Sequence, residues 1–409
     1  MRKSIFSFLT VLVLLGVSVF AIVQTARLQN ARQQIADMHL QALSQSAEEM
    51  QALTLSLEKL LISTQAARQA ELLHAIALGA GDVQQCLSAL PLDSEAMASV
   101  LALTGRLQAD ASALLPQLAR SGIPQQAREQ LTSDLAACTR LSSQLALARN
   151  AATADLSSFL TQEGSPLPAA RIPDAPRGLP DGEITREEAR QAARDFLGGS
   201  NVTALTDAPD VSGVLPAYGI TVESGGIQLN MEITRQGGKV LWMMPETASF
   251  AMTHTADECI AAGIDFLETH GFGPTQAVYW QIYDGLCVIS AAPLQDGVLL
   301  YPDLLSVQVR MDTLQIVGLE AHAYWTNHIE RSIPVPALSE AQARARLSDE
   351  VVCTDTHLCL IPGKDGERLC WQCTCMRLGD TYYIYIDALT GDEAAIRKII
   401  PLENGATAA

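Results

Sequence analysis

The sequence predicts an α+β protein: an N-terminal helical part, then three tandem units that each place one helix on a three- to four-stranded antiparallel sheet. Three observations carry this. From Val23 to Phe159 there is no aromatic residue, and the stretch is rich in Ala, Leu, Gln and Arg, which favour helix. Residues 164–182 then hold five prolines, which forbid regular structure and mark a linker. After the linker, three helix starts recur: Thr185-Arg-Glu-Glu188, Thr255-Ala-Asp-Glu258 and Ser339-Glu-Ala-Gln342. Each is a capping box, in which a hydroxyl caps an early backbone N–H and the Glu or Gln three residues on reaches back. Each precedes alternating apolar runs, so the three together indicate an internal repeat.

Residues 1–23 read as a short cytoplasmic stub and a transmembrane anchor. Ile5 to Val23 is uncharged and, at 1.5 Å per residue, about 28 Å long. Arg2 and Lys3 precede it and place the N-terminus in the cytoplasm and the bulk outside. The other reading is an export signal cleaved after Val19-Phe20-Ala21.

Residues 24–163 are expected to form an antiparallel bundle of three or four helices. Leu28, Ile35 and Ala42, then Met50, Leu53, Leu57 and Leu60, mark its apolar face. Breaks are expected at Gly79-Ala80-Gly81, at Pro91 and at Ser121-Gly122-Ile123-Pro124. Asp93 or Ser94 is placed to cap the following helix.

Unit 1 (residues 183–250) is expected to hold strands Val214–Glu223, Ile227–Thr234 and Lys239–Met244, turned by Gly225-Gly226 and Gly237-Gly238. Unit 2 (251–336) holds Ala277–Tyr283, Leu286–Ala292, Leu304–Met311 and Gln315–Glu320. Unit 3 (337–402) holds Val351–Ile361, Leu369–Leu378, Thr381–Asp387 and a last strand after Thr390-Gly391. Residues 403–409 are expected to be a disordered tail.

Of the net charge of −18, residues 1–182 carry −2 (13 Lys+Arg, 15 Asp+Glu) and residues 183–409 carry −16 (14 and 30). An acidic body of this kind argues against nucleic acid as a partner and leaves room for a cationic one. No His-Glu-x-x-His, Gly-x-Ser-x-Gly or phosphate-binding glycine loop occurs. Ser56-Leu57-Glu58-Lys59 matches a Ser-x-x-Lys pattern but lies mid-helix without its companion motifs. The sequence therefore assigns no catalytic residue, no metal ligand and no cofactor.

Five of the nine cysteines fall in unit 3: Cys353, Cys359, Cys370, Cys373 and Cys375. Structural thiols, one disulfide, and a zinc site with His357 are the three readings. Against zinc, Cys370 takes the opposite strand face from Cys373 and Cys375. A hairpin folded symmetrically about the Lys364–Asp365 bond pairs residues whose numbers sum to 729, which sets Cys359 opposite Cys370. His322 and His328 flank Tyr324-Trp325, as structural histidines at a junction or as a pH-responsive contact. Tyr382, Tyr383 and Tyr385 read as the two faces of a sheet, or as a platform for sugar stacking.

The helix-plus-meander unit resembles the PepSY domain, and the whole layout resembles the spore germination protein YpeB family. The resemblance rests on Tyr324-Trp325-Thr326-Asn327-His328 with Arg331 and Pro334-Val335-Pro336. It rests also on Tyr383-Ile384-Tyr385-Ile386-Asp387-Ala388 with Thr390-Gly391-Asp392-Glu393, and on Cys86 to Leu92 in the bundle. The motif positions are Tyr324, Asn327, His328, Arg331, Pro336, Tyr385, Asp387, Thr390, Gly391 and Glu393. The cysteines of unit 3 are outside the family pattern. The resemblance implies a non-enzymatic protein of the spore inner membrane or cell membrane. It would hold, stabilise and restrain a cortex-lytic peptidoglycan hydrolase of the SleB kind until germination. The alternatives are an envelope sensor or peptidoglycan-binding module without a hydrolase partner, and a PepSY-type peptidase inhibitor.

Overall fold

The computed structural model describes residues 38, 40–88, 90, 94–152, 176–199, 201–246, 249–363, 366–402 and 405–408. The expected span 5–23 and most of the linker lie outside the described residues. Among those described, no helix is long and apolar enough to cross a membrane. The chain divides into a helical unit within residues 1–161 and a mainly β unit within residues 162–409, the latter also taking Ile62–Gln65.

The helical unit contains α1 (residues 40–62), α2 (Ala66–Ser88), α3 (Ser94–Ser121) and α4 (Gln125–Ala152). Met50, Leu53, Leu57 and Leu60 of α1 are buried with Leu73 and Ile76 of α2, Leu107 of α3 and Leu131 of α4. The expected break at Gly79-Ala80-Gly81 is absent, because α2 runs through it. Ala80 is fully buried there, and a side chain at Gly79 would meet Leu53 at 3.8 Å. Burial of α2 against the other helices of the bundle offsets the roughly 1 kcal/mol that each helical glycine costs. The chain turns instead at Ser63-Thr64-Gln65, which contains neither Gly nor Pro.

In the β unit, all three capping boxes form. They open α5 (Arg186–Phe196), α6 (Ala256–Leu267) and the much shorter α8 (Glu340–Arg344). After α5 come β1 (Val202–Val211), β2 (Ala217–Ser224), β3 (Ile227–Thr234) and β4 (Val240–Pro245). After α6 come β5 (Thr275–Tyr283), β6 (Leu286–Gln295), β7 (Val298–Leu300), β8 (Leu305–Arg310), β9 (Ile316–Glu320) and the short α7 (His322–Asn327). After α8 come β10 (Val352–Gly363), β11 (Gly366–Arg377), β12 (Asp380–Asp387), β13 (Glu393–Leu402) and β14 (Gly405–Ala408). The strand β14 lies in the segment expected to be a disordered tail, and it pairs with β13.

Two further strands were not expected. β1 carries Asp207, Pro209 and Asp210 and has two register shifts against β2, so its burial does not alternate. Proline and bulges are the features that blunt an edge strand. β7 is only three residues long, yet it pairs with β6 and, in parallel, with β10.

These pairings merge the repeats into one continuous sheet. β4 joins β9 antiparallel, with Trp242 opposite Glu320. β6, β5, β14, β13, β12, β11, β10 and β7 pair in sequence, and β7 returns to β6, so these eight strands close a ring. Among the described residues, β1 is left as the one strand with a single partner. Tyr301, Cys359, Ile361, Cys370 and Tyr385 share a core within the ring. The α5 and α6 helices cover the open part of the sheet over one core.

Candidate functional site

The first motif builds a buried ionic junction between the second and third helix-plus-sheet segments. It begins at Tyr301-Pro302-Asp303, a short turn after β7 in which all three residues are buried. The carboxylate of Asp303 has no exposure, and the Arg331 side chain is only 7% exposed. Arg331 donates from Nη1 to Asp303 Oδ2 at 2.7 Å and from Nη2 to Asp303 Oδ1 at 2.6 Å. It also donates from Nε and Nη2 to Glu367 at 2.7 and 2.8 Å. One guanidinium therefore forks two carboxylates, the planar geometry that arginine offers and lysine lacks. His328 Nδ1 lies 2.7 Å from Asp303 Oδ2, and its ring stacks on Tyr324 with centroids 4.2 Å apart.

The α7 helix positions these groups. Asn327 donates to the Pro302 carbonyl at 3.1 Å, which fastens the helix to the Asp303 turn. Trp325 donates from Nε1 to the Val240 carbonyl of β4 at 2.9 Å. The backbone N–H groups of Arg177 and Gly178 bond the Thr326 and Trp325 carbonyls, so the end of the proline-rich segment closes over the helix. Downstream, Ala337 and Leu338, which follow Pro336, both donate to the Ala388 carbonyl.

The second motif is the β12–β13 turn. Asp387 Oδ1 accepts from the N–H groups of Leu389 and Thr390 at 2.9 and 3.0 Å, and Thr390 Oγ1 donates to Asp392 at 2.8 Å. Gly391 sits at φ +78°, and its N–H returns to the Asp387 carbonyl. Glu393 is buried at the start of β13, and Tyr385 is fully buried edge-on to Tyr301 at 6.3 Å. The two motifs do not converge on a cleft: both order backbone and bury their charge or rings.

His322 and His328 separate. His322 faces away from the junction, 2.6 Å from Glu320 and 3.9 Å from Glu232. Its hydrogen bond to Glu320 holds its pKa above the ordinary histidine value. Asp303 and Glu367 are the functional partners that sequence reading missed. A signal existed for the first: Asp303 is the lone charge in the apolar run Val298 to Leu305, and such a carboxylate needs a partner.

The β10–β11 register sets Cys359 opposite Cys370 and Cys353 opposite Cys375. All nine thiols are free, with Cys359 donating to the Cys370 carbonyl at 3.6 Å. Among the described residues no group of three or more His, Cys, Asp or Glu is arranged to hold a metal ion. Burial pushes Cys138, Cys287, Cys370 and Cys373 up to about 12. Only Cys86 and Cys353 are partly exposed. Since the thiolate is the nucleophile, a maleimide pulse at neutral pH should label those two fast and the other seven only after unfolding. Mass spectrometry showing early label on Cys359 or Cys370 would contradict the closed ring.

A family model described as YpeB sporulation, PepSY1 and PepSY2 domains matches residues 160–334. Sporulation protein YpeB of Halalkalibacterium halodurans is 30% identical over 220 residues, 53% of this chain and 49% of the relative. Sporulation protein YpeB of Bacillus subtilis is 26% identical over 222 residues, with the same two coverages, 53% and 49%. The chain thus spans about half the length of the curated relatives it matches. The solved Bacillus megaterium YpeB C-terminal domain is 25% identical, with a TM-score of 0.48, over 54% of this chain and 99% of that one.

Proposed function

We propose that this chain, which matches the YpeB sporulation family over residues 160–334 and is 30% identical to one YpeB over about half its length, is a non-catalytic, membrane-anchored component of the spore envelope. Its task is to hold, stabilise and restrain a cortex-lytic peptidoglycan hydrolase of the SleB kind until germination. Residues 5–23 serve as the anchor, with the β unit outside the membrane. The observation that carries the reading is the match of residues 160–334 to the PepSY pair of a sporulation protein. The geometry is in keeping with it. The charged motif residues Arg331 and Glu393 are buried in the fold rather than presented to a substrate. A continuous sheet, part of it closed into a ring, is a platform with little freedom to lose on docking.

The test is made in a spore former that carries this gene. Detergent extracts of dormant-spore membranes should yield the hydrolase together with the tagged full chain. A deletion strain should lose the hydrolase from its dormant spores and fail to degrade cortex on germination. Normal hydrolase levels and normal cortex loss in the deletion strain would overturn the proposal. Retention of the pure chain on sacculi, with no hydrolase recovered, would favour a peptidoglycan-binding module.

A further inference from the structure

A cavity of about 410 Å³ lies between the β1–β2 loop and α7. Its walls are apolar: Val211, Val214 and Leu215 on one side and Ala323 on the other. Val214, one of the lining residues, is half exposed. Glu320 and His322 line the remaining side. No lysine or arginine lines the cavity.

The charge at this rim is not balanced. His322 bridges two carboxylates, 2.6 Å from Glu320 and 3.9 Å from Glu232. Those carboxylates lie on one cross-strand row, Glu232 opposite Trp242 and Trp242 opposite Glu320. One histidine, even when protonated, leaves one negative charge beside an apolar hollow. The surrounding residues 183–409 carry −16 and deepen the field. A hollow of this size accepts one or two aliphatic side chains, and the adjacent carboxylate selects a cation.

The geometry points to a docking pocket for a partner peptide in which an aliphatic side chain enters the cavity and a neighbouring Lys or Arg meets Glu320. This goes beyond the hydrolase reading and does not depend on it, because the chemistry is the same whichever protein carries the segment. The pocket also has a mechanical consequence. Asn327 lines it and at the same time bonds the Pro302 carbonyl beside Asp303, while Arg331 Nη2 reaches the Asn327 carbonyl at 3.4 Å. An occupant that shifts α7 therefore acts on the ionic junction directly.

The experiment uses the detergent-solubilised full chain and two dansylated probes, acetyl-Leu-Lys-Leu-Lys-Leu-amide and its glutamate counterpart. Fluorescence anisotropy should show the lysine peptide binding at least about tenfold more tightly than the glutamate peptide. Its affinity should fall as salt rises. Glu320→Gln should remove most of the preference between the peptides. Val214→Ser, at a half-exposed position where folding is not at risk, should weaken both, and Ala323→Leu should fill the cavity and abolish binding. Equal affinity for the two peptides, or binding by neither at millimolar concentration, would overturn the inference. Lysine-peptide affinity unchanged in Val214→Ser and Ala323→Leu would do the same. Self-association that Val214→Ser disperses would assign the pocket to a second copy instead.

Discussion

Arg331→Met should destabilise the β unit by about 3–5 kcal/mol, because it leaves a carboxylate that the fold has already removed from water with only His328 beside it. Asp303 has no exposure, and Arg331 supplies its bidentate partner at 2.6 and 2.7 Å. Methionine keeps an apolar stem that reaches about as far as Nε and removes the guanidinium fork, so the loss reports chiefly the pairing. Glu367 would also lose its partner, but it is about a third exposed and water can replace it at small cost. The double variant Asp303→Asn with Arg331→Met should recover part of the loss, since no fully buried carboxylate then remains without its arginine. Urea unfolding followed by tryptophan fluorescence measures this, with Trp325 on α7 as the local reporter. A loss under about 1 kcal/mol in the single variant would mean that the junction is not load-sharing in the way its burial implies.

Gly285→Ala should cost at least about 3 kcal/mol, and Gly297→Ala much less, although the two glycines occupy the same kind of turn. Both follow an aspartate in a two-residue hairpin: Asp284 and Gly285 have φ of 46° and 78°, and Asp296 and Gly297 have φ of 53° and 79°. An alanine at either pays about 1–2 kcal/mol for the left-handed conformation. At Gly297 nothing lies within 4 Å of the added carbon. At Gly285 that carbon would fall inside contact distance of the Phe250 carbonyl. The approach is held from both sides: the Phe250 N–H bonds the Asp284 carbonyl at 2.9 Å, and Arg310 covers the Phe250 ring at 4.3 Å. Relief requires moving backbone, which adds to the conformational strain. Matched denaturation curves for the two variants isolate the clash as the difference between them, and equal losses would show that the Phe250 segment yields freely.

Local chemistry explains what could be read before the structure. The capping boxes at Thr185, Thr255 and Ser339 each involve residues three apart, so the sequence contains both partners of every bond. The Gly225-Gly226 turn has both glycines at positive φ, as a two-residue hairpin requires. The Cys359–Cys370 apposition follows from one short polar turn and the strict two-residue period of strands. A motif such as Asp387 to Gly391 closes on itself within five residues and is equally local.

What the sequence did not contain is any bond whose two halves lie far apart along the chain. Arg331 was visible as a motif residue, but its partners Asp303 and Glu367 lie 28 and 36 positions away and sit on elements that had no reason to meet. The turn at Ser63–Gln65 interrupts a helical pattern without a Gly or Pro, so local propensity does not mark the end of α1. The three-residue strand β7 is too short to be stable or recognisable alone, and it exists because β6 and β10 both pair with it. That pairing, with β4 to β9, turns three repeats that each looked self-contained into one sheet. Secondary structure here is set by propensity, caps and turns acting within a few residues. The closed ring and the buried ionic junction are set by backbone edges and charges that find partners only once the segments are assembled.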